Sequence, residues 1–326
     1  MNYRIAFDAY GGDFGYALNI NGAILALKEK NDIEIMLIGN ESSIRRELSN
    51  YQNIPLDRLK IIHTDEFIKM DDAPTIVNTL QNSSIVKGIK MIKEKKADCF
   101  LSAGNSGACM AASLLFLGRL KGIRRPAIAA IIPTIKGPVL ILDAGANSTI
   151  KSEDLLQFGI MGSIYSEKIL SIENPRVSLL NMGSEEKKGP KMLQETFKLL
   201  KNSEINFTGN IEGNEILKNR CDVVVTDGFT GNVTIKTLEG FIPFLKDIIK
   251  DSTGIVHKYF TAKLLKKKLS HFTYEAYGAA PLLGVNGISL LSHGRSSALA
   301  IKNAILTGRK NIEEDINNVI LKHLTK

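Results

Sequence analysis

Ten short apolar runs, at residues 3–7, 34–38, 60–63, 98–101, 127–132, 139–142, 176–180, 205–208, 222–226 and 287–291, punctuate the chain. Most are followed by a turn of Gly, Asn, Asp or Ser, the pattern that bounds strands. Between them, residues 22–29, 42–48, 77–95, 107–117, 153–170, 191–200, 232–249 and 296–306 repeat apolar side chains at three- and four-residue spacing, which predicts helices. Several of these segments end in Lys, as the helix dipole favours. The alternation predicts a parallel sheet covered by helices.

No internal repeat, low-complexity tract or Pro- or Ser-rich linker marks a domain boundary in the 326 residues. That length suits about two domains or one large α/β unit. Residues 250–275 leave the rhythm, because Asp251, Ser252, Thr253 and Gly254 interrupt a helix and IVHKYFTAKLLKKKLSHF follows without a strand. An insertion projecting from the sheet unit is expected there.

In an open parallel sheet, ligands gather where loops leave the carboxyl ends of the strands. Those loops are the most informative part of this chain. They are Asp8-Ala9-Tyr10-Gly11-Gly12-Asp13, Ser102-Ala103-Gly104-Asn105-Ser106-Gly107, Asp143-Ala144-Gly145-Ala146-Asn147, the nine residues from Asn181 to Gly189, and Asp227-Gly228-Phe229-Thr230-Gly231-Asn232. A further Gly-rich stretch, 278–287, precedes the last strand. Glycine lets backbone approach a ligand, and amides at a helix start bind anions. Any one loop also reads as an ordinary turn. Five of one polarity favour a shared cleft for a phosphate-like anion.

Composition narrows the class. The chain is 44% hydrophobic with a formal net charge of +8, a soluble globular composition with a bias toward anionic partners. No run approaches the roughly 20 apolar residues of a membrane span. Cys99, Cys109 and Cys221 lack CxxC spacing, and an apolar strand begins within two residues of Met1 in place of a leader, so a reduced, cytoplasmic protein is expected. There is no GxGxxG, GxxxxGK[ST], GxSxG or HExxH, and the five histidines form no ligand spacing with the cysteines. No metal and no cofactor are expected. The dispersed charge, without aromatic interleaving, argues against nucleic acid.

Catalytic candidates are then basic and amide groups in the loops. Lys188 suits neutralisation of a phosphate or oxyanion, and reads equally as a solvated lysine before a helix. Asn232 is expected to open a helix, as its N-cap or as an amide donor to a substrate carbonyl. His293 follows the last strand, where a proton shuttle and a structural role are both open.

Taken as a set, IAFDAYGGDFG, SAGNSGACMA, LDAGAN, LLNMGSEEKKG, FTGNIEG, VVVTDGFTGNV, APLLGVNG and AIKNAI resemble the segments of the bacterial phosphate acyltransferase family (PlsX), in the family's order from residue 5 to residue 305. The resemblance implies a single domain over residues 1–326 with a three-layer α/β/α fold and a mostly parallel sheet, similar to isocitrate and isopropylmalate dehydrogenases and phosphate acetyltransferases. It implies conversion of acyl-[acyl carrier protein] and inorganic phosphate to acyl phosphate, in phospholipid synthesis, by direct attack of phosphate on the thioester. It points to Lys188 and Asn232 as the critical polar residues. Asp8, Gly11, Gly12, Asp13, Ser102, Gly104, Asn105, Ser106, Gly107, Asn147, Asp227, Thr230, Gly231 and His293 are the matching candidates for phosphate and substrate binding.

Tyr10, Tyr16, Ala279 and Arg295-Ser296 depart from the family, which usually has Met, Pro, Gly and Ser-Asn there. Tyr10 and Ala279 bear on chain-length preference. Expected partners are acyl carrier protein, docking on Lys263, Lys266, Lys267 and Lys268 or on Arg124 and Arg125, a second copy in a homodimer, a peripheral membrane surface met through residues 255–269, and a downstream glycerol-3-phosphate acyltransferase. The rival readings are a dehydrogenase of isocitrate-like fold and a noncatalytic membrane-associated scaffold.

Overall fold

The apolar residues of the first predicted strand sort by parity. In the computed structural model, which describes residues 2–134, 136–252 and 277–324, β1 (Tyr3–Asp8) turns Ile5 and Phe7 to one face of a sheet and Ala6 to the other. Strands β2 (Ile33–Gly39) and β4 (Cys99–Ser102) do the same, with Ile35, Leu37, Cys99 and Leu101 opposite Met36, Ile38 and Phe100. The first set packs on α1 (Tyr16–Glu29) and α8 (Ala298–Glu313), through Ile20, Leu27, Ile301 and Ile305. The second packs on α3 (Ser84–Lys93) and α4 (Ser106–Ala112), through Val86, Ile89, Ala108 and Cys109. Strands apolar on both faces are those of a sheet covered on both sides.

This is the first of two compact units and comprises the described residues within 1–128, 168–171 and 277–326. Its strand order is β3-β2-β1-β4-β11-β10, with β3 at Leu59–His63, β10 at Ala280–Leu283 and β11 at Ile288–Leu291. All neighbours are parallel except β10, which is antiparallel to β11 and to the start of β5 (Ala127–Thr134). Helix α2 (Glu41–Leu48) follows β2, capped by Asn40, whose side chain accepts the Ser43 amide.

Unit 2 comprises the described residues within 129–167 and 172–276. Its order is β5-β6-β9-β7-β8, with β6 at Gly137–Leu142, β7 at Val177–Leu180, β8 at Phe207–Ile211 and β9 at Val223–Val225. Only the β5–β6 hairpin is antiparallel. Val139, Ile141 and Val224 form one core with Ile235 of α7 (Gly228–Ser252). On α5 (Ser152–Lys168), Gly162 lies so close to Val223 that a methyl there would come within 2.6 Å of its Cγ1. Helix α6 (Lys191–Lys201) follows β7 in unit 2, and α9 (Ile316–Leu324) lies in unit 1.

Four expectations are corrected. Residues 280–283, read as part of a Gly-rich loop, are strand β10. Residues 77–95 are not one helix: a 3-10 turn at Pro74–Asn78 precedes α3, which starts anew at the Ser83 cap. The strand expected at 205–208 runs instead from Phe207 to Ile211. Helix α7 begins at Gly228, so Asn232 lies within it and does not open it. The projecting insertion falls almost wholly outside the described residues.

Candidate active site

In unit 1 the candidate residues collect at the carboxyl ends of the neighbouring strands β1, β4 and β11. Asp8 ends β1 and is buried. The Ser102 hydroxyl donates to Asp8 Oδ2 at 2.7 Å and accepts the Gly104 amide at 2.9 Å, while the Tyr10 amide donates to Asp8 Oδ1 at 3.1 Å. Burial pushes the Asp8 carboxyl above the usual range, and the Ser102 bond opposes that shift. Asn19, buried on α1, donates to the carbonyls of Ala9 and Gly11 at 3.1 and 2.6 Å. The loop therefore leaves β1 along a defined path. Gly11 sits against the Gly104 amide too closely for any side chain.

Asn105 is the cap of α4. Its Oδ1 accepts the Ala108 amide at 2.9 Å, and its Nδ2 donates to the carbonyls of Lys69, Met70 and Asp72 at 3.0, 3.2 and 2.8 Å. Ser106 is exposed and Gly107 packs on Pro74. The Asp13 amide, next to Gly12, donates to the Gly294 carbonyl at 2.8 Å, and the Arg295 guanidinium lies 3.5 Å from Asp13 Oδ2. His293 Nδ1 accepts the Arg295 amide at 3.1 Å. Asp8, Ser102, Gly104 and Asn105 thus shape the loops through internal bonds, whereas Asp13, Ser106 and Arg295 face solvent. Of the departures from family pattern, Tyr10 stacks on Phe67 at 4.8 Å between centroids and tilts against Tyr16 at 4.7 Å, and Ala279 packs into the core of this unit.

In unit 2 the candidates follow β6, β9 and β7, three adjacent parallel strands. Asp143, fully buried after β6, accepts the amides of Gly145, Ala146 and Asn147 at 3.1, 3.0 and 2.7 Å and the Asn147 Nδ2 at 2.9 Å. These amides turn inward onto the carboxylate, so this loop is an anion nest filled by its own aspartate. The Asn147 carbonyl accepts the Gly228 amide at 2.8 Å. Asp227 starts α7: Thr230 donates to it from its amide at 2.9 Å and from its hydroxyl at 2.6 Å. Gly231 packs directly on the Asp143 carbonyl, where any Cβ would collide. One turn into α7, Asn232 Nδ2 points at the Ala144 carbonyl, 3.4 Å away.

Lys188 is exposed on the loop after β7, its ammonium 3.8 Å from Glu185 Oε1. The backbone beneath it is tied down by Asn181, whose Oδ1 accepts the Met182 amide at 2.8 Å and whose Nδ2 donates to the Lys188 carbonyl at 3.1 Å. Asp143, Asn181 and Asn19 are the organising residues that sequence reasoning did not single out. The first two had a readable signal, a polar residue directly after an apolar strand. All three cysteines are unpaired and buried, and burial pushes their thiols up, Cys221 to about 12. A thiolate nucleophile is disfavoured at all three. Among the described residues no group of His, Cys, Asp and Glu is disposed to hold a metal ion, and no helix is long and apolar enough to cross a membrane.

Comparison with solved structures places this fold beside a phosphotransacetylase from Streptococcus pyogenes, at a TM-score of 0.65 and 17% identity over 96% of this chain and 94% of that one. A phosphotransacetylase from Staphylococcus aureus aligns at a TM-score of 0.61 and 13% identity, covering 95% and 94%. At such identities the likeness is one of fold. The three-layer α/β class with a mostly parallel sheet agrees with it. Sequence relatives are much nearer. The phosphate acyltransferase of Halothermothrix orenii is 45% identical over 99% of both chains, and that of Acetivibrio thermocellus is 46% identical over 95% of this chain and 93% of its own. The model of a fatty acid synthesis protein family matches residues 3–319. With near-complete coverage at such identity, the chain belongs to the bacterial phosphate acyltransferase (PlsX) family.

Proposed function

We propose that the protein transfers an acyl group from acyl carrier protein to inorganic phosphate, forming acyl phosphate for phospholipid synthesis. Family membership supports the reaction class. The observation that carries the site assignment is that Lys188 and Asn232 follow the carboxyl ends of the neighbouring parallel strands β7 and β9.

A phosphate oxygen attacks the thioester carbonyl carbon, and the carbonyl electron pair moves onto oxygen. Collapse of the tetrahedral intermediate breaks the C–S bond and releases the carrier thiolate, which takes up the proton that the attacking hydrogen phosphate loses. The Lys188 ammonium balances phosphate charge. The Asn232 amide has a second hydrogen besides the one aimed at Ala144, and that hydrogen serves the oxyanion. No acyl-enzyme is required, in keeping with the buried thiols. In unit 1 we assign Gly11, Gly12, Asp13, Ser106, Gly107 and His293 to substrate binding, with Asp8, Ser102, Gly104 and Asn105 holding their loops. In unit 2, Asn147, Asp227, Thr230 and Gly231 hold Asn232.

Carrier protein, a second copy of the chain, a membrane surface and a downstream glycerol-3-phosphate acyltransferase are the partners of this reading. The lysine cluster 263–268 and the apolar stretch 255–269 lie outside the described residues. The exposed side chains of Phe229, Val233, Phe241 and Phe244 on α7 supply apolar surface consistent with peripheral association.

The test is acyl phosphate formation from purified acyl carrier thioester and phosphate, trapped with hydroxylamine. Asn232→Ala is expected to lower kcat about 100-fold, the typical effect of removing an oxyanion donor. Lys188→Ala is expected to raise the KM for phosphate about tenfold or more. Near-normal turnover by both folded variants would overturn the assignment.

A further inference from the structure

From Met182 to Lys188 the chain makes an excursion in which every residue but Gly183 is exposed, so no apolar side chain anchors it to a core. Polar contacts hold it: Lys201 of α6 donates to Glu186 Oε2 at 3.1 Å, the Lys188 amide donates to the Glu185 carbonyl at 3.1 Å, and two carboxamides bond its backbone. Asn181, buried at the end of β7, spans the base of the loop by bonding the Met182 amide at its start and the Lys188 carbonyl at its end. Asn210, in β8, donates to the Glu185 carbonyl at 2.8 Å from outside. Gly189 closes the loop at φ 79°, against the Asn181 carboxamide where any Cβ would collide, and Gln194 of α6 holds its carbonyl at 2.9 Å.

We propose that Asn181 is a positioning residue for phosphate binding, acting through Lys188. The Lys188 ammonium pairs only distantly with Glu185 and its stem lies over Gly183 of the same loop, so its reach is set by where the loop backbone carries its Cα. The Asn181 Nδ2 to Lys188 carbonyl bond sets that position. Without it, the ammonium samples a wider volume and phosphate meets a less organised cation. This inference rests on the reading of Lys188 as a phosphate-binding residue, and the experiment separates the two.

The experiment is a double-mutant cycle in the full-length enzyme, reading the KM for inorganic phosphate and kcat. Asn181→Ala is expected to raise the phosphate KM about three- to tenfold, the equivalent of one lost hydrogen bond, with a smaller change in kcat. In a Lys188→Ala background the same substitution is expected to leave the phosphate KM unchanged. Asn181→Asp, which keeps an acceptor for the Met182 amide and loses the donor to Lys188, is expected to behave like Asn181→Ala. It also serves if the alanine variant fails to fold. An Asn181 effect of equal size in both backgrounds, or a lowered melting temperature with an unchanged phosphate KM, would overturn the positioning role. A Lys188→Ala enzyme with a normal phosphate KM would overturn the Lys188 reading and this inference with it. Asn210→Ala, which frees the same loop at Glu185, is expected to give a smaller rise in phosphate KM, and no rise would count against positioning by the loop.

Discussion

The hydroxyl of Ser102 donates to the buried carboxyl of Asp8 at 2.7 Å, and this bond joins the loops that leave β1 and β4. Because burial raises the Asp8 carboxyl, the folded protein holds that proton more tightly than the unfolded chain does. The sign follows from linkage: stability from the protonated form is complete below the unfolded value of about 4 and is lost as pH rises through the raised folded value. Asp8→Asn, neutral throughout, escapes this loss. Urea unfolding of both proteins between pH 4 and 8 is expected to show the variant gaining on the wild type as pH rises. A difference independent of pH would contradict the buried, raised carboxyl.

Gly231 tolerates no side chain, since a Cβ would strike the Asp143 carbonyl. Gly231→Ala is expected to cost about 2–3 kcal/mol as α7 is displaced. Gly213, at the start of a 3-10 turn with open space around it, is the control. Gly213→Ala is expected to stay within about 0.5 kcal/mol in the same denaturant titration.

Asp143 accepts three successive amides and the Asn147 side chain, so Asp143→Asn sets an NH2 group against donors. A loss of about 1–3 kcal/mol is expected. Since the Ala144 carbonyl holds Asn232, kcat is expected to fall more than the phosphate KM rises. Steady-state kinetics on the folded variant check this.

If an acidic carrier docks on exposed basic residues such as Arg125, as proposed, the reaction is expected to be salt-sensitive. Attraction between exposed charges is screened over about 8 Å at physiological ionic strength. The KM for acyl carrier thioester is therefore expected to rise with added salt, and Arg125→Ala is expected to flatten that dependence. A salt-independent KM in the wild type would remove the electrostatic docking.

The local order of the chain and the polarity of its loops are legible in the amino-acid pattern alone. Burial on both faces is written into IAF and IMLI, because successive side chains in a strand point to opposite faces and an unbroken apolar run needs cover on each, so β1 and β2 are legible without their pairing. The polar residues after Phe7, Leu101, Leu142, Leu180 and Thr226 fall at the carboxyl ends of strands for the same local reason.

Which partners those residues bond depends on contacts between distant parts of the chain. Ala280–Leu283 carries a proline between glycines and reads as a turn, and it becomes β10 only by pairing with β11 and with residues 127 and 128, far away in sequence. Asn105 looks like a ligand until its amide finds three carbonyls more than thirty residues upstream. Asn232 looks like a cap until Asp227 takes that place. A polar side chain bonds whichever partner the fold brings within about 3 Å, and that proximity comes from non-local packing, which spacing along the chain does not encode.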